Sequence, residues 1–402
     1  MLISGSLILL LMGLLYGWSI IALPLEREFA WTRDKTSLIF VAVMVFFTSG
    51  VLAGGPVSKR FSPGVCIRIS GFLIFAGFVL ASRVDSVWGM CLSYGFLCGL
   101  GIGITYNVVL TATLFWFPGK TGLASGFLLG GFGLGSFALG PAVSALINSS
   151  MGWRRGFLII GAVFLVLVFV ESFIICKPKE GEIEQESHDS GEGGKNPVER
   201  NSSPGEMLGS PFFRRMYLWG TVLSSCTVGI LGIGALFASD MGAGYTLAAV
   251  MSGFLSIGNG GGRIAFGLVY DRFGRKFSMR TGALFFLSGV TLLIISHFTA
   301  NLLLVGLGYF FAGLCCGALP PIYSCTCRKY FGPRYFSWNI GLFNSTNIPA
   351  VLIGNFAAGI LRSKTGSYLP VFGVMAIFSI LAFGIEFAMG KAEKNIPGSG
   401  SC

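Results

Sequence analysis

Apolar runs of the length a helix needs to cross about 30 Å of hydrocarbon recur from one end of this chain to the other. Nothing else in the sequence constrains the fold as strongly. Twelve such runs can be drawn, at 2–22, 37–56, 67–82, 87–117, 122–147, 156–176, 213–239, 245–270, 281–299, 301–327, 336–361 and 368–388. In lipid every backbone N–H and C=O must be satisfied within the protein, which leaves helices or a closed barrel. Runs this long and without alternation are helices. The expected fold is therefore an all-α membrane protein of twelve transmembrane helices. With 53% hydrophobic and 11% charged residues, against about 25% charged in soluble domains, a soluble fold is excluded.

The sequence between residues 177 and 212 interrupts this pattern. It is acidic, rich in Gly and Ser, and has no apolar period, so it cannot bury enough surface to order itself. We expect a six-helix half over 1–176, a flexible linker over 177–212, a second half over 213–390 and a tail over 391–402. An even number of spans puts both termini on one side. The loops on that side, with the linker and tail, carry more than twice the Lys and Arg of the opposite loops, so both ends are expected in the cytoplasm. The same bias accounts for the net charge of +11 without a nucleic-acid partner. Residues 2–22 have no basic leader or small-residue cleavage site and read as a first span rather than a signal peptide.

The ten cysteines lie mostly in apolar segments without paired CxxC spacing, and there are only two histidines. Buried free thiols are expected, with no metal centre and no cofactor. No phosphate-binding loop or nucleophile–base set marks an enzyme.

Two stretches repeat between the halves. Gly267-Leu-Val-Tyr-Asp271-Arg272-Phe-Gly274-Arg275-Lys276 is preceded 212 residues earlier by Gly55-Pro-Val-Ser-Lys59-Arg60-Phe61-Ser62, which has Lys59 where the later copy has its acid. Trp116-Phe-Pro-Gly-Lys120 is echoed by Tyr330-Phe-Gly-Pro-Arg334. Duplication with a site between halves near the membrane midplane is a transporter plan.

Arg263 is the sharpest single signal. A charge inside a span costs several kcal/mol unless it meets water, a counter-ion or a substrate. Ser252, Ser256, Asn259 and Arg263 follow spacings of four, three and four on one helix face, and helical side chains lean toward the N-terminus, which tilts the guanidinium toward mid-membrane. Asn344, Asn347 and Asn355 roughly share a face of the eleventh span, with Asn347 near its centre. Tyr16, Trp18 and Tyr106 are aromatic residues within spans whose polar tips need partners. Glu171 and Glu386 fall near span ends, within reach of the interface. Glycines at four-residue spacing, as at 122, 126 and 130, let helices approach closely.

The later loop matches G-x-x-x-D-R-x-G-R-[RK], the signature between the second and third spans of each half in the major facilitator superfamily, which the whole chain resembles. Tyr16-Gly-Trp18-Ser with Leu23-Pro24-Leu25, Gly101-Ile-Gly-Ile-Thr-Tyr106 with Trp116-Phe117-Pro118, Gly131-Phe132-Gly133-Leu134-Gly135, and Gly262-Arg263-Ile264 resemble the oxalate/formate antiporters and their monocarboxylate-transporting relatives. The resemblance implies two pseudo-symmetric six-helix halves and alternating access. It also implies a gating role for Gly267, Asp271, Arg272, Gly274 and Arg275.

Asn347 stands where that family commonly has a lysine, so one fixed cation rather than two would face the substrate. Asn259 stands where proton symporters of this kind carry an acid. The reading that follows is a transporter of a small organic monocarboxylate, acting as a monomer in a plasma or inner bacterial membrane. Arg263 would anchor the carboxylate, Asn259 and Asn347 would orient it, and Tyr16 and Tyr106 would wall the cavity. Exchange is favoured over proton symport. The rivals are a proton-coupled exporter of drugs or neutral solutes, and a receptor of the same fold that binds an anion without moving it.

Overall fold

A computed structural model describes residues 1–176, 178 and 201–393, and these are helical throughout, without strands among the described residues. The first span is α1 (Leu2–Met12) and α2 (Trp18–Phe29), joined by a 3₁₀ turn at Gly13–Gly17. Then follow α3 (Arg33–Arg60), α4 (Pro63–Ala81), α5 (Val87–Leu114), α6 (Thr121–Ile147) and α7 (Gly152–Glu171). A short α8 (Pro204–Gly209) precedes α9 (Pro211–Asp240), α10 (Tyr245–Thr299) and α11 (Leu302–Phe331). The chain continues through α12 (Phe336–Asn344), α13 (Asn347–Thr365) and α14 (Leu369–Glu393).

Nine of these helices are long and apolar enough to cross a membrane, or ten when the bent pair α1–α2 counts as one span. The expected twelve are reached because α10 holds two spans and α12–α13 form one more. The loop expected across 271–280 reduces to a single residue. Gly274 takes φ 76° and ψ −178°, a conformation open essentially to glycine, and residues 275–280 are already helical.

The break between α12 and α13 has a local cause. Pro349 has no N–H to give to the preceding turn. The Ser345 and Thr346 hydroxyls donate back to the carbonyls of Leu342 and Phe343, at 2.8 and 2.9 Å. The Ser345 carbonyl, which Pro349 leaves without its usual donor, accepts from Ile348 N at 3.0 Å, so the bend is satisfied inside the span.

The linker expectation needs one correction. Residues 177 and 179–200, with His188 among them, lie outside the described residues, as does the tail from 394. Residues 204–209 are helical: Ser203 and Glu206 form a capping box, which satisfies two exposed N–H groups reciprocally. Met207 is fully buried, and the Asn339 amide donates to the Ser202 carbonyl at 3.0 Å. A cap and one apolar anchor suffice to dock this end of the linker against the start of α12.

Glu386 also departs from expectation. It does not reach the interface but is 1% exposed and accepts from Arg280 Nε at 2.6 Å. On the face away from the linker, Arg154 binds Glu28 and Asp85 at 3.0 and 2.6 Å and lies over the Trp153 ring. This cluster ties together the ends of α2, α4 and α7. Arg362 with Asp240, at 2.9 Å, does the same for α13 and α9.

Candidate functional site

Arg263 projects from α10 into the seam against α6 and is 2% exposed. Its Nε donates to Asn259 Oδ1 at 3.1 Å, one turn toward the helix N-terminus, so the side chain leans as helix geometry requires. Its Nη1 donates to the Leu129 carbonyl of α6 at 3.0 Å, and the guanidinium carbon lies 5.4 Å from the centre of the Phe132 ring. Among the described residues no carboxylate pairs with Arg263. Neutral acceptors and a ring face hold the cation, and its charge is left uncompensated.

Phe132 is the hub of the surrounding wall. Tyr16 and Tyr106 meet it edge-on at 5.4 and 5.1 Å, and Phe47 stacks on it at 5.6 Å. Both tyrosine hydroxyls and Cys316 of α11 lie within electrostatic reach of the guanidinium.

The glycines flanking Phe132 make this packing possible. A Cβ on Gly133 would come to 3.0 Å from Arg263 Nε, and Cβ atoms on Gly131 and Gly135 would strike the carbonyls of Ser6 and Leu10 in α1 at 2.6 and 2.2 Å. One glycine of the run faces α10 and two face α1, so the sequence Gly131-Phe132-Gly133-Leu134-Gly135 brings three spans to one ring. In the sequence this run stood as part of a family resemblance, and neither Phe132 nor Phe47 was among the expected site residues. The signal was a large aromatic bracketed by glycines.

Four of the five expected substrate residues, Arg263, Asn259, Tyr16 and Tyr106, are brought together. Asn347 is not joined to them: it begins α13 just after the break, half-buried, and its side chain makes no hydrogen bond among the described residues. Asn344 donates to its own helix at Ile340, and Ser256 is half-buried. The side chains of Ser252 and Asn355 lie outside the described residues. Trp18 is a packing residue, donating to the Thr36 carbonyl at 2.9 Å and stacked on Tyr94 at 5.2 Å.

The loop motif sits at the linker-side end of the same seam. The Asp271 carboxylate accepts from the backbone N–H groups of Gly122 and Leu123, at 3.0 and 2.8 Å. It thereby caps α6, whose N-terminal N–H groups have no partner inside the helix and carry its positive dipole end. Gly267 and Gly122 touch backbone to backbone, since a Cβ on Gly267 would lie 2.2 Å from the Gly122 carbonyl oxygen. Arg272 is exposed with its guanidinium over Phe273, whereas Arg275 is 4% exposed and lies over Phe212. Arg328 at the end of α11 donates to the Leu114 carbonyl at 3.0 Å. Among the described residues, every hydrogen bond between the α1–α7 group and the α9–α14 group lies between the level of Arg263 and the linker face. This conformation is closed on the linker side.

Asp271→Asn would keep the shape but present only one oxygen to two N–H donors. The expected result is about a tenfold loss of transport with the protein still folded, from the lost charge at a helix N-terminus and one hydrogen bond. Rates in reconstituted vesicles alongside a melting curve check it.

The comparisons agree with this architecture. The family model for the Major Facilitator Superfamily matches residues 5–347 and again 220–397. The oxalate:formate antiporter of Oxalobacter formigenes is 26% identical over 393 residues, covering 94% of this chain and 88% of that protein. Monocarboxylate transporter 13 of Rattus norvegicus is 25% identical over 347 residues, covering 86% and 77%. Among solved structures, the proton:xylose symporter XylE superposes with a TM-score of 0.71 at 15% identity, covering 97% of this chain and 95% of that one. FucP in its outward conformation gives 0.66 at 14% identity, covering 97% of each chain. A buried cation between two helix groups, a duplicated loop and a family match over most of the sequence converge: this chain belongs to the Major Facilitator Superfamily, and its task is transport across a membrane rather than catalysis.

Proposed function

We propose that the protein carries a small organic monocarboxylate anion, such as formate, lactate or pyruvate, by alternating access of the halves 1–176 and 213–390 to the two sides of the membrane. The observation that carries this reading is Arg263, sealed between the halves without a carboxylate partner among the described residues. A planar guanidinium matches a carboxylate through two parallel hydrogen bonds, and an arriving anion supplies the charge that the protein withholds. Tyr16, Tyr106 and Phe132 give the anion an aromatic enclosure, with Asn259 steering the guanidinium. The names of the relatives, an oxalate:formate antiporter and monocarboxylate transporters, support an anionic cargo of this class. In the proposed orientation the linker face is cytoplasmic and the protein works as a monomer in a plasma or inner bacterial membrane. The gate would be built from Gly267, Asp271, Arg272, Gly274 and Arg275.

Counterflow in proteoliposomes loaded with unlabelled formate, lactate, pyruvate or oxalate tests the proposal. Saturable accumulation of labelled monocarboxylate is the expected result. Binding without flux would identify a receptor, and broad flux of neutral or cationic compounds would identify an exporter.

Asn347 provides a test of selectivity. With an amide there, the site offers a single fixed positive charge, which suits a monoanion. Asn347→Lys should shift the ratio of oxalate to formate transport upward by about tenfold, the scale of one additional charge-assisted hydrogen bond. An unchanged ratio in a competition panel would show that residue 347 does not reach the cargo.

A further inference from the structure

The two gate loops differ at the residue that matters most. At the α6–α10 seam, Asp271 accepts from the first N–H groups of α6. At the related α3–α12 seam the same place in the repeat is Lys59, which has only donors and cannot cap a helix N-terminus. Its ammonium instead lies 4.8 and 5.2 Å from the ring centres of Tyr335 and Trp338, at the start of α12.

Another side chain holds this seam. Asn107 of α5 is fully buried. Its amide donates to the Val51 carbonyl of α3 at 2.8 Å and to the Ser337 carbonyl of α12 at 2.9 Å. Its Oδ1 accepts from the Ser337 hydroxyl at 2.5 Å and from Thr111 at 3.3 Å. Both amide hydrogens are used, and the single proton of Ser337 is committed to Asn107. The Ser58 hydroxyl lies 3.1 Å from that of Ser337 and gives its own proton to the Gly55 carbonyl at 3.0 Å. The two bonds between Asn107 and Ser337 cross between the halves. The bond to Val51 keeps Asn107 aimed at the seam from its own half.

We infer that Asn107 is the positioning residue of the second gate, a neutral latch from α5 that does at α12 what the Asp271 carboxylate does at α6. It follows Tyr106 directly on the helix that also walls the Arg263 site. A buried amide cannot be left unsatisfied without cost, so opening the linker side requires water to enter and take over the bonds to Ser337. The inference needs only that the protein alternates between faces, whatever its cargo.

The test reads the gate itself, by pulsed-EPR distances between labels at Phe61→Cys and Lys329→Cys in a background carrying Cys176→Ser and Cys402→Ser. Both label sites are exposed on the linker face, one in each half. Asn107→Ala should raise the population with separated labels about tenfold, the scale of two lost hydrogen bonds. Adding Lys59→Asp, which puts a carboxylate back where the repeat has one, should return the distribution toward the original. An unchanged distribution in folded Asn107→Ala, or no return with Lys59→Asp, would overturn the latch. If Asn107→Ala does not fold, Ser337→Ala removes only the hydroxyl bond and should give a shift of about threefold. No shift there overturns the proposal as well.

Discussion

Arg263→Ala should abolish transport while leaving the protein folded, with a melting temperature unchanged or raised. The two expectations have one cause. In the resting protein the guanidinium is held by the Asn259 side chain, the Leu129 carbonyl and the face of Phe132, and no carboxylate among the described residues cancels its charge. Removing an uncompensated buried charge does not destabilise a fold, and often the reverse. The cargo, however, would lose its only fixed counter-charge and two charge-assisted hydrogen bonds. At about 1.5–3 kcal/mol each, these give a loss of at least about a hundredfold in exchange rate. Arg263→Lys should keep roughly a tenth of the activity or less, because an ammonium is a point charge that cannot fork onto both carboxylate oxygens. Uptake at the original rate in both variants would refute the anchoring role. A collapsed melting curve in Arg263→Ala would assign the arginine to structure instead.

The second large effect concerns the fold alone. Gly103→Ala should prevent accumulation of monodisperse folded protein. A Cβ there would sit 2.0 Å from the Phe47 carbonyl oxygen, 2.8 Å from Val51 N and 2.9 Å from Gly50 Cα. All three obstacles are backbone atoms of α3, so no rotamer change relieves them and the two helices must part. Overpacking of this kind costs at least about 3 kcal/mol, and it would also displace Val51, which fixes Asn107. Gly253→Ala is the matched control. It lies in α10 with nothing within 4 Å of a new Cβ, so it should be neutral or stabilising by up to about 1 kcal/mol through helix propensity. Size-exclusion profiles of the two variants in detergent separate the outcomes. Equal profiles would mean that the α3–α5 contact is looser than described.

Much of this architecture was legible beforehand because membrane spans are written in composition. Length and hydropathy located the helices, and the repeated loop announced a duplication. Arg263 stood out because one charge in an apolar helix admits few explanations, and its partner Asn259 followed from spacing alone. Other features depend on neighbours that no local pattern reveals. Asn107 looked like any polar residue in an apolar helix until α12 was seen across from it, and Lys59 looked like a decayed copy of Asp271 rather than half of another solution. Phe132 was hidden by its glycines, which drew attention to packing and away from the ring they frame. The docked end of the linker was missed because a region of low hydrophobicity was read as a whole. Its short ordered stretch depends on one serine–glutamate cap and one methionine.

The bare guanidinium at the centre also bears on the timing of the anion-carrying cycle proposed above. In passing from one face to the other, the carrier must go through an occluded form in which the cavity is shut at both ends. With an anion aboard, that form encloses a neutral pair. Vacant, it encloses a lone positive charge cut off from bulk water. The loaded crossing should therefore outrun the vacant one, and a vesicle with anion on both sides should trade label faster than an empty vesicle fills.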